Sequence, residues 1–162
     1  MKNKPAGNKG SSLVLFVGRL FLGGIFAYAG FSKLMEPVEN FRGIIAQYEV
    51  IPYMFVPVIA LVFPWLELMF GIFLIIGYLP RISALALAIF SMIFLIVLSS
   101  SKVLLGSVPI ACGCFGENGI HLTVRQVFLL DFIDMILGIK LAQSPSLILS
   151  LHEWLKKPLS AG

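Results

Sequence analysis

Charge is scarce in this chain. Only 12% of its 162 residues are charged while 59% are hydrophobic, whereas about a quarter of a soluble domain is charged. Mean hydropathy is +0.98. A water-soluble fold of this size could not hide so much apolar surface, so that class is excluded. A gathered basic patch is missing too: the net charge of +4 is spread over tails and short loops without interleaved aromatics. That distribution argues against a nucleic-acid partner and leaves membrane topology as the meaning of the charge. Cysteine is limited to Cys112 and Cys114, and histidine to His121 and His152. Neither histidine has a spacing that marks it as catalytic.

What is present is long and apolar. Four segments stand out, from about Ser12 to Phe31, Phe55 to Leu79, Ile82 to Leu105 and Thr123 to Ala142. Each can cross a hydrocarbon core of roughly 30 Å at 1.5 Å per residue. Lipid offers no partner to a free N–H or C=O, and the segments are too long and unpatterned for barrel strands, so they must be helices. The expected fold is all-α: a polytopic membrane protein built as a four-transmembrane-helix bundle with short interfacial helices. Its domain spans 12–143, between a basic tail at 1–11 and an amphipathic tail at 144–162. Pro80 and Arg81 join the second and third spans as an antiparallel hairpin.

Both interfacial stretches show helical spacing. Val38, Phe41, Ile44, Ile45 and Tyr48 recur after Pro37 with Glu39, Arg42 and Glu49 between them, which predicts a short helix lying on the membrane. Ser144 and Pro145 start a second one, whose Leu147, Leu151, Trp154 and Leu155 oppose His152, Glu153, Lys156 and Lys157.

Orientation follows from lysine and arginine. Threading four spans in order puts Lys2, Lys4, Lys9, Arg81, Lys140, Lys156 and Lys157 on one side. The other side has Lys33, Arg42, Lys102 and Arg125, diluted by Glu36, Glu39, Glu49 and Glu117. The positive-inside rule then makes both termini cytoplasmic and exposes 32–54 and 107–122 outside, in the periplasm of a Gram-negative source. A basic start, an apolar run and Ala27-Tyr28-Ala29 also fit a cleaved signal sequence. Arg19 inside the run favours a retained helix.

Ionisable residues inside the spans cost roughly 2.5 to 3.5 kcal/mol each near the bilayer centre, so they should face the bundle interior. They are Arg19, Glu67, Asp131 and Asp134. Arg19 shares a stripe with Gly23, Phe26 and Gly30, whose glycines would admit a close neighbour, and Glu67 shares its face with Gly71. We expect Arg19 to face the acidic set of Glu67, Asp131 and Asp134. That arrangement is either a structural charge network or a polar pocket for a proton or a quinone head group.

The sharpest local signal is Ala111-Cys112-Gly113-Cys114-Phe115-Gly116. Two cysteines around one glycine can close a small, strained disulfide ring, and a strained disulfide is the more oxidising kind, suited to exchange with a partner thiol. An inert bridge and a metal site of Cys112, Cys114 and His121 are the other readings, though two thiolates and a distant imidazole make a thin metal set.

Taken together, Arg19, Gly30-Phe31-Ser32-Lys33-Leu34, Pro64-Trp65-Leu66-Glu67 with Gly71, and Cys112-Gly113-Cys114-Phe115-Gly116 resemble the MauE family of methylamine utilisation membrane proteins, within the wider DoxX-like group. The resemblance covers roughly Val14 to Leu141, and the CGCFG run is its most specific part. It implies a four-helix inner-membrane protein, acting beside a periplasmic thioredoxin-like partner to mature methylamine dehydrogenase, whose small subunit needs many disulfides. The expected function is therefore thiol–disulfide relay by Cys112 and Cys114, with a quinone at the polar pocket as the candidate cofactor. Disulfide oxidases that reduce quinone usually carry two cysteine pairs, and this chain has one. The rival readings are a DoxX-like subunit of a thiosulfate:quinone oxidoreductase and a non-enzymatic assembly subunit.

Overall fold

The computed structural model describes residues 9–46, 51–100 and 123–143. Every described element is helical: α1 (Lys9–Met35), α2 (Val38–Ala46), a 3-10 turn (Tyr53–Phe55), α3 (Val56–Ile76), α4 (Pro80–Ser100) and α5 (Val124–Gln143). The tail expected as a second amphipathic helix, 144–162, lies outside the described residues. Three helices are long and apolar enough to cross a membrane, over Val14–Met35, Tyr53–Ile76 and Pro80–Ser99. α5 matches them in length with 20 residues, but Arg125, Asp131, Asp134 and Lys140 interrupt its apolar character.

Local chemistry sets the helix ends. Pro57 sits in the first turn of α3, where its missing N–H costs nothing. Gly77 ends that helix at φ 80°, in the left-handed region, and donates its N–H to the Phe73 carbonyl at 2.9 Å. This is the usual glycine stop. The joint between α3 and α4 is thus Gly77 to Leu79, and Pro80 is already the first residue of α4. The sequence reading had placed the joint at Pro80 and Arg81, because apolar character runs on through Tyr78 and Leu79. α5 opens on a capping box: the Thr123 N–H donates to Gln126 Oε1 at 2.9 Å, and the Gln126 N–H donates to Thr123 Oγ1 at 3.4 Å.

The most extensive contacts pair α1 with α3 and α4 with α5. Glycine explains the first pairing. A Cβ at Gly30 would stand 2.6 Å from the Leu68 nitrogen and the Pro64 oxygen, and one at Gly71 would stand 2.6 Å from the Ala27 nitrogen. The two backbones touch along this seam, the close approach that small residues allow between membrane helices. Outward-facing side chains stay apolar, as with Val58, Leu61, Trp65 and Ile72 of α3 and Ile82, Leu85 and Ile89 of α4.

α2 forms where an interfacial helix was expected, but its apolar face is covered by protein. Phe41 and Ile45 pack with Val56 and Ala60 at the start of α3. At the same end of the bundle Ala29, Leu98 and Val127 cluster, with Ile44 and Ile51 packed against them. The opposite end is filled by Leu22, Phe26, Leu74, Leu87 and Leu141.

Candidate functional site

Bundle geometry decides which charges meet. α1 and α3 run antiparallel, and their contacts set the register: Gly23 abuts Gly71 and Ile75, while Gly30 abuts Pro64 and Leu68. One turn past Gly30, that register brings Lys33 to Glu67. The Lys33 Nζ donates to Glu67 Oε2 at 2.6 Å, with the two side chains 0% and 2% exposed. Aromatic faces complete the ammonium's surroundings, with the rings of Phe41, Phe94 and Phe63 centred 5.1, 5.4 and 5.9 Å from Nζ. These distances are in the range where a cation is drawn to a ring's negative face.

Lys33 was expected in an exposed outer loop, and the structure buries it in the last turn of α1. The unbroken apolar run stops at Phe31, so a span drawn from that run alone ends before the lysine. The helical stripe does not stop there: Arg19, Gly23, Phe26, Gly30 and Lys33 continue it at spacings of three and four residues. That continuation was the signal for the missed residue.

Arg19 is buried as well, but its surroundings differ from those expected. Its Nη2 donates to the Ile75 carbonyl at 3.5 Å, and its guanidinium carbon lies 5.2 Å from the centre of the Phe16 ring. Ile75 is two turns of α3 beyond Glu67, about 12 Å along the axis. The expected pairing of Arg19 with Glu67 is therefore replaced by the pairing of Lys33 with Glu67.

The three acidic residues do share one space. Glu67 from α3 and Asp131 and Asp134 from α5 line a cavity closed by Phe26 and Ala29 of α1 and Phe94 of α4. Arg19 is not part of its lining. The cavity measures about 20 Å³, enough for a water molecule and far short of a quinone ring. Asp134 is 1% exposed, and its Oδ1 has no hydrogen-bond partner among the described residues. Among those residues no cluster of three or more His, Cys, Asp or Glu is arranged to hold a metal ion.

Cys112, Cys114 and His121 lie outside the described residues. The segment that carries them leaves α4 at Ser100 and enters α5 at Thr123. Leu98 and Val127, just inside those two points, belong to the cluster at the α2 end of the bundle. The ends of α4 and α5 that flank the cysteine segment in the sequence therefore lie on the side where Lys33, Glu67 and α2 meet.

Two comparisons with known proteins find a match. Residues 11–140 match the family of the methylamine utilisation protein MauE. Over 118 residues the chain is 35% identical to the methylamine utilization protein MauE of Paracoccus denitrificans. That alignment takes in 73% of this chain and 62% of the relative, so the chain spans less than two thirds of the relative's length. No solved structure matches the chain. The family match contains both cysteines, the Lys33–Glu67 pair and the two aspartates.

Proposed function

The chain belongs to the MauE family, and on that premise we propose that it is an inner-membrane thiol–disulfide redox protein. It exchanges electrons with a periplasmic thioredoxin-like partner through Cys112 and Cys114, in support of methylamine dehydrogenase or another disulfide-containing client. The observation that carries the reading is the Cys112-Gly113-Cys114 run, which falls in the sequence between the ends of α4 and α5 that lie on the α2 side of the bundle. α5 serves as the fourth span. Its Asp131 and Asp134 face inward while Leu129, Phe132, Ile133 and Ile136 face outward, and Arg125 and Lys140 lie close to its ends. Four spans put both termini in the cytoplasm and the cysteines outside.

The exchange balances without a metal. A thiolate of the partner attacks one sulfur of the oxidised pair, breaking the S–S bond, forming a mixed disulfide and freeing the other cysteine as a thiolate. The partner's second thiolate attacks the mixed disulfide in turn. Both cysteines of this chain are then reduced, the partner is oxidised by two electrons, and the protons shed by the partner's thiols are taken up by Cys112 and Cys114. Run backwards, the same steps reduce the partner.

Two experiments test the parts of this reading. A reporter active only outside the cytoplasm should be active when fused after Ile120 and silent after Gly162; the reverse pattern would overturn the placement of the cysteines. Purified chain with its pair oxidised, mixed with a reduced thioredoxin-like protein and then alkylated, should gain two thiols for each disulfide formed in the partner. A pair that stays inert under those conditions would rule out exchange.

A further inference from the structure

The aspartates form a site of their own. Asp131 and Asp134 are the chain's only two, and both line the cavity one helical turn apart. The charged groups on the elements packed around Asp134 are few. On α5 there are Asp131 and, toward the two ends, Arg125 and Lys140; on α3 there is Glu67, and on α1 Lys9, Arg19 and Lys33; the only ionisable residue of α4 is Arg81, exposed at the other end of that helix. Lys33 donates to Glu67 and Arg19 to the Ile75 carbonyl. Asp134 Oδ1 thus faces the cavity with no hydrogen-bond donor among the described residues. Carboxylates sharing one low-dielectric space repel strongly, and a proton on one of them removes that repulsion.

We propose that this cavity is a proton-binding site, in which Asp134 holds a proton and shares it with one water molecule. The space of about 20 Å³ admits that water, and the ligand the groups call for is the smallest cation available. A metal ion fits less well, since the acids are not arranged as a ligand set. A protonated Asp134 can donate a hydrogen bond to the water, and the water in turn can donate to Asp131 and Glu67, so that Asp134 gains a partner. The site rests on the cavity alone and stands whether or not the cysteines exchange electrons.

Because no other aspartate is present, isotope labelling reads the cavity directly. Infrared spectra of the full chain in liposomes at neutral pH should show the carbonyl-stretch band of a protonated carboxylic acid. That band should move when the aspartate side-chain carboxyl is labelled with carbon-13, and stay in place when glutamate is labelled. It should also shift on transfer to deuterium oxide, through exchange with the water in the cavity, and vanish in Asp134→Asn while surviving in Asp131→Asn. A spectrum without an aspartate-sensitive band would overturn the proposal. So would a band lost only in Asp131→Asn. The labelling arm uses the unaltered protein, so the absence of an aspartate-sensitive band overturns the proposal even if a variant fails to fold.

Discussion

Replacing Lys33 with Met should destabilise the protein by about 3–5 kcal/mol, because it strands the Glu67 carboxylate in the bundle. The pair is fully enclosed, at 0% and 2% exposure, so solvent screening does little to soften the loss. Glu67→Gln should cost less. The ammonium it leaves behind keeps the faces of Phe41, Phe63 and Phe94 within 6 Å, whereas the carboxylate stranded by Lys33→Met keeps no comparable contact. Replacing both, with Met and Leu, should cost well below the sum of the single changes, since an apolar pair of similar volume carries no desolvation penalty. A double-mutant cycle by denaturant titration in detergent should show a coupling of roughly 1–3 kcal/mol for Lys33 with Glu67. The same cycle for Arg19 with Glu67 should be additive to within about 0.5 kcal/mol. Coupling in the second cycle and additivity in the first would contradict the register that places Lys33 opposite Glu67.

These two cycles mark where sequence reading reached its limit. The helices themselves were legible, since an apolar run of span length has one backbone solution in lipid. The amphipathic spacing after Pro37 predicted α2, and the glycines at 23, 30 and 71 identified the faces on which α1 and α3 touch. Faces alone do not give register. A helix can slide along its neighbour by a turn or two and keep the same stripe buried, so a buried arginine could be assigned to the wrong acid. The closest backbone contacts, at Gly30 and Gly71, fix the slide and hand Glu67 to Lys33. Lys33 was overlooked for a related reason: the unbroken apolar run ends at Phe31, and a lysine just past it reads as a loop residue even when a partner waits inside the bundle. The apolar face of α2 posed a similar choice, between lipid and protein, that spacing cannot make. In the candidate site, the three acids were visible as costly intramembrane residues. The size of their cavity was not visible, and it is size that favours water over a quinone ring.

The second large effect concerns the cysteines. Replacing both Cys112 and Cys114 with Ala should abolish maturation of the client while leaving the stability of the membrane domain unchanged. A ring closed over so short a loop removes little conformational entropy from the unfolded chain, so its loss barely affects folding. The Lys33 variant should behave in the opposite way, losing stability first and function only as folded protein is lost. Comparing the two separates the chemistry from the scaffold. An inert bridge predicts a double variant that still matures its client, and a metal centre predicts loss on chelation and on changing His121.

Single substitutions give the most direct test of thiol exchange. With Cys112→Ala or Cys114→Ala, the remaining thiolate can form a mixed disulfide with the partner, and the internal thiol that would resolve it is gone. Non-reducing gels of membranes from cells expressing each single variant should therefore show a covalent adduct of partner size that disappears on reduction and is absent from the double variant. Failure of both single variants to trap any such adduct would contradict the account.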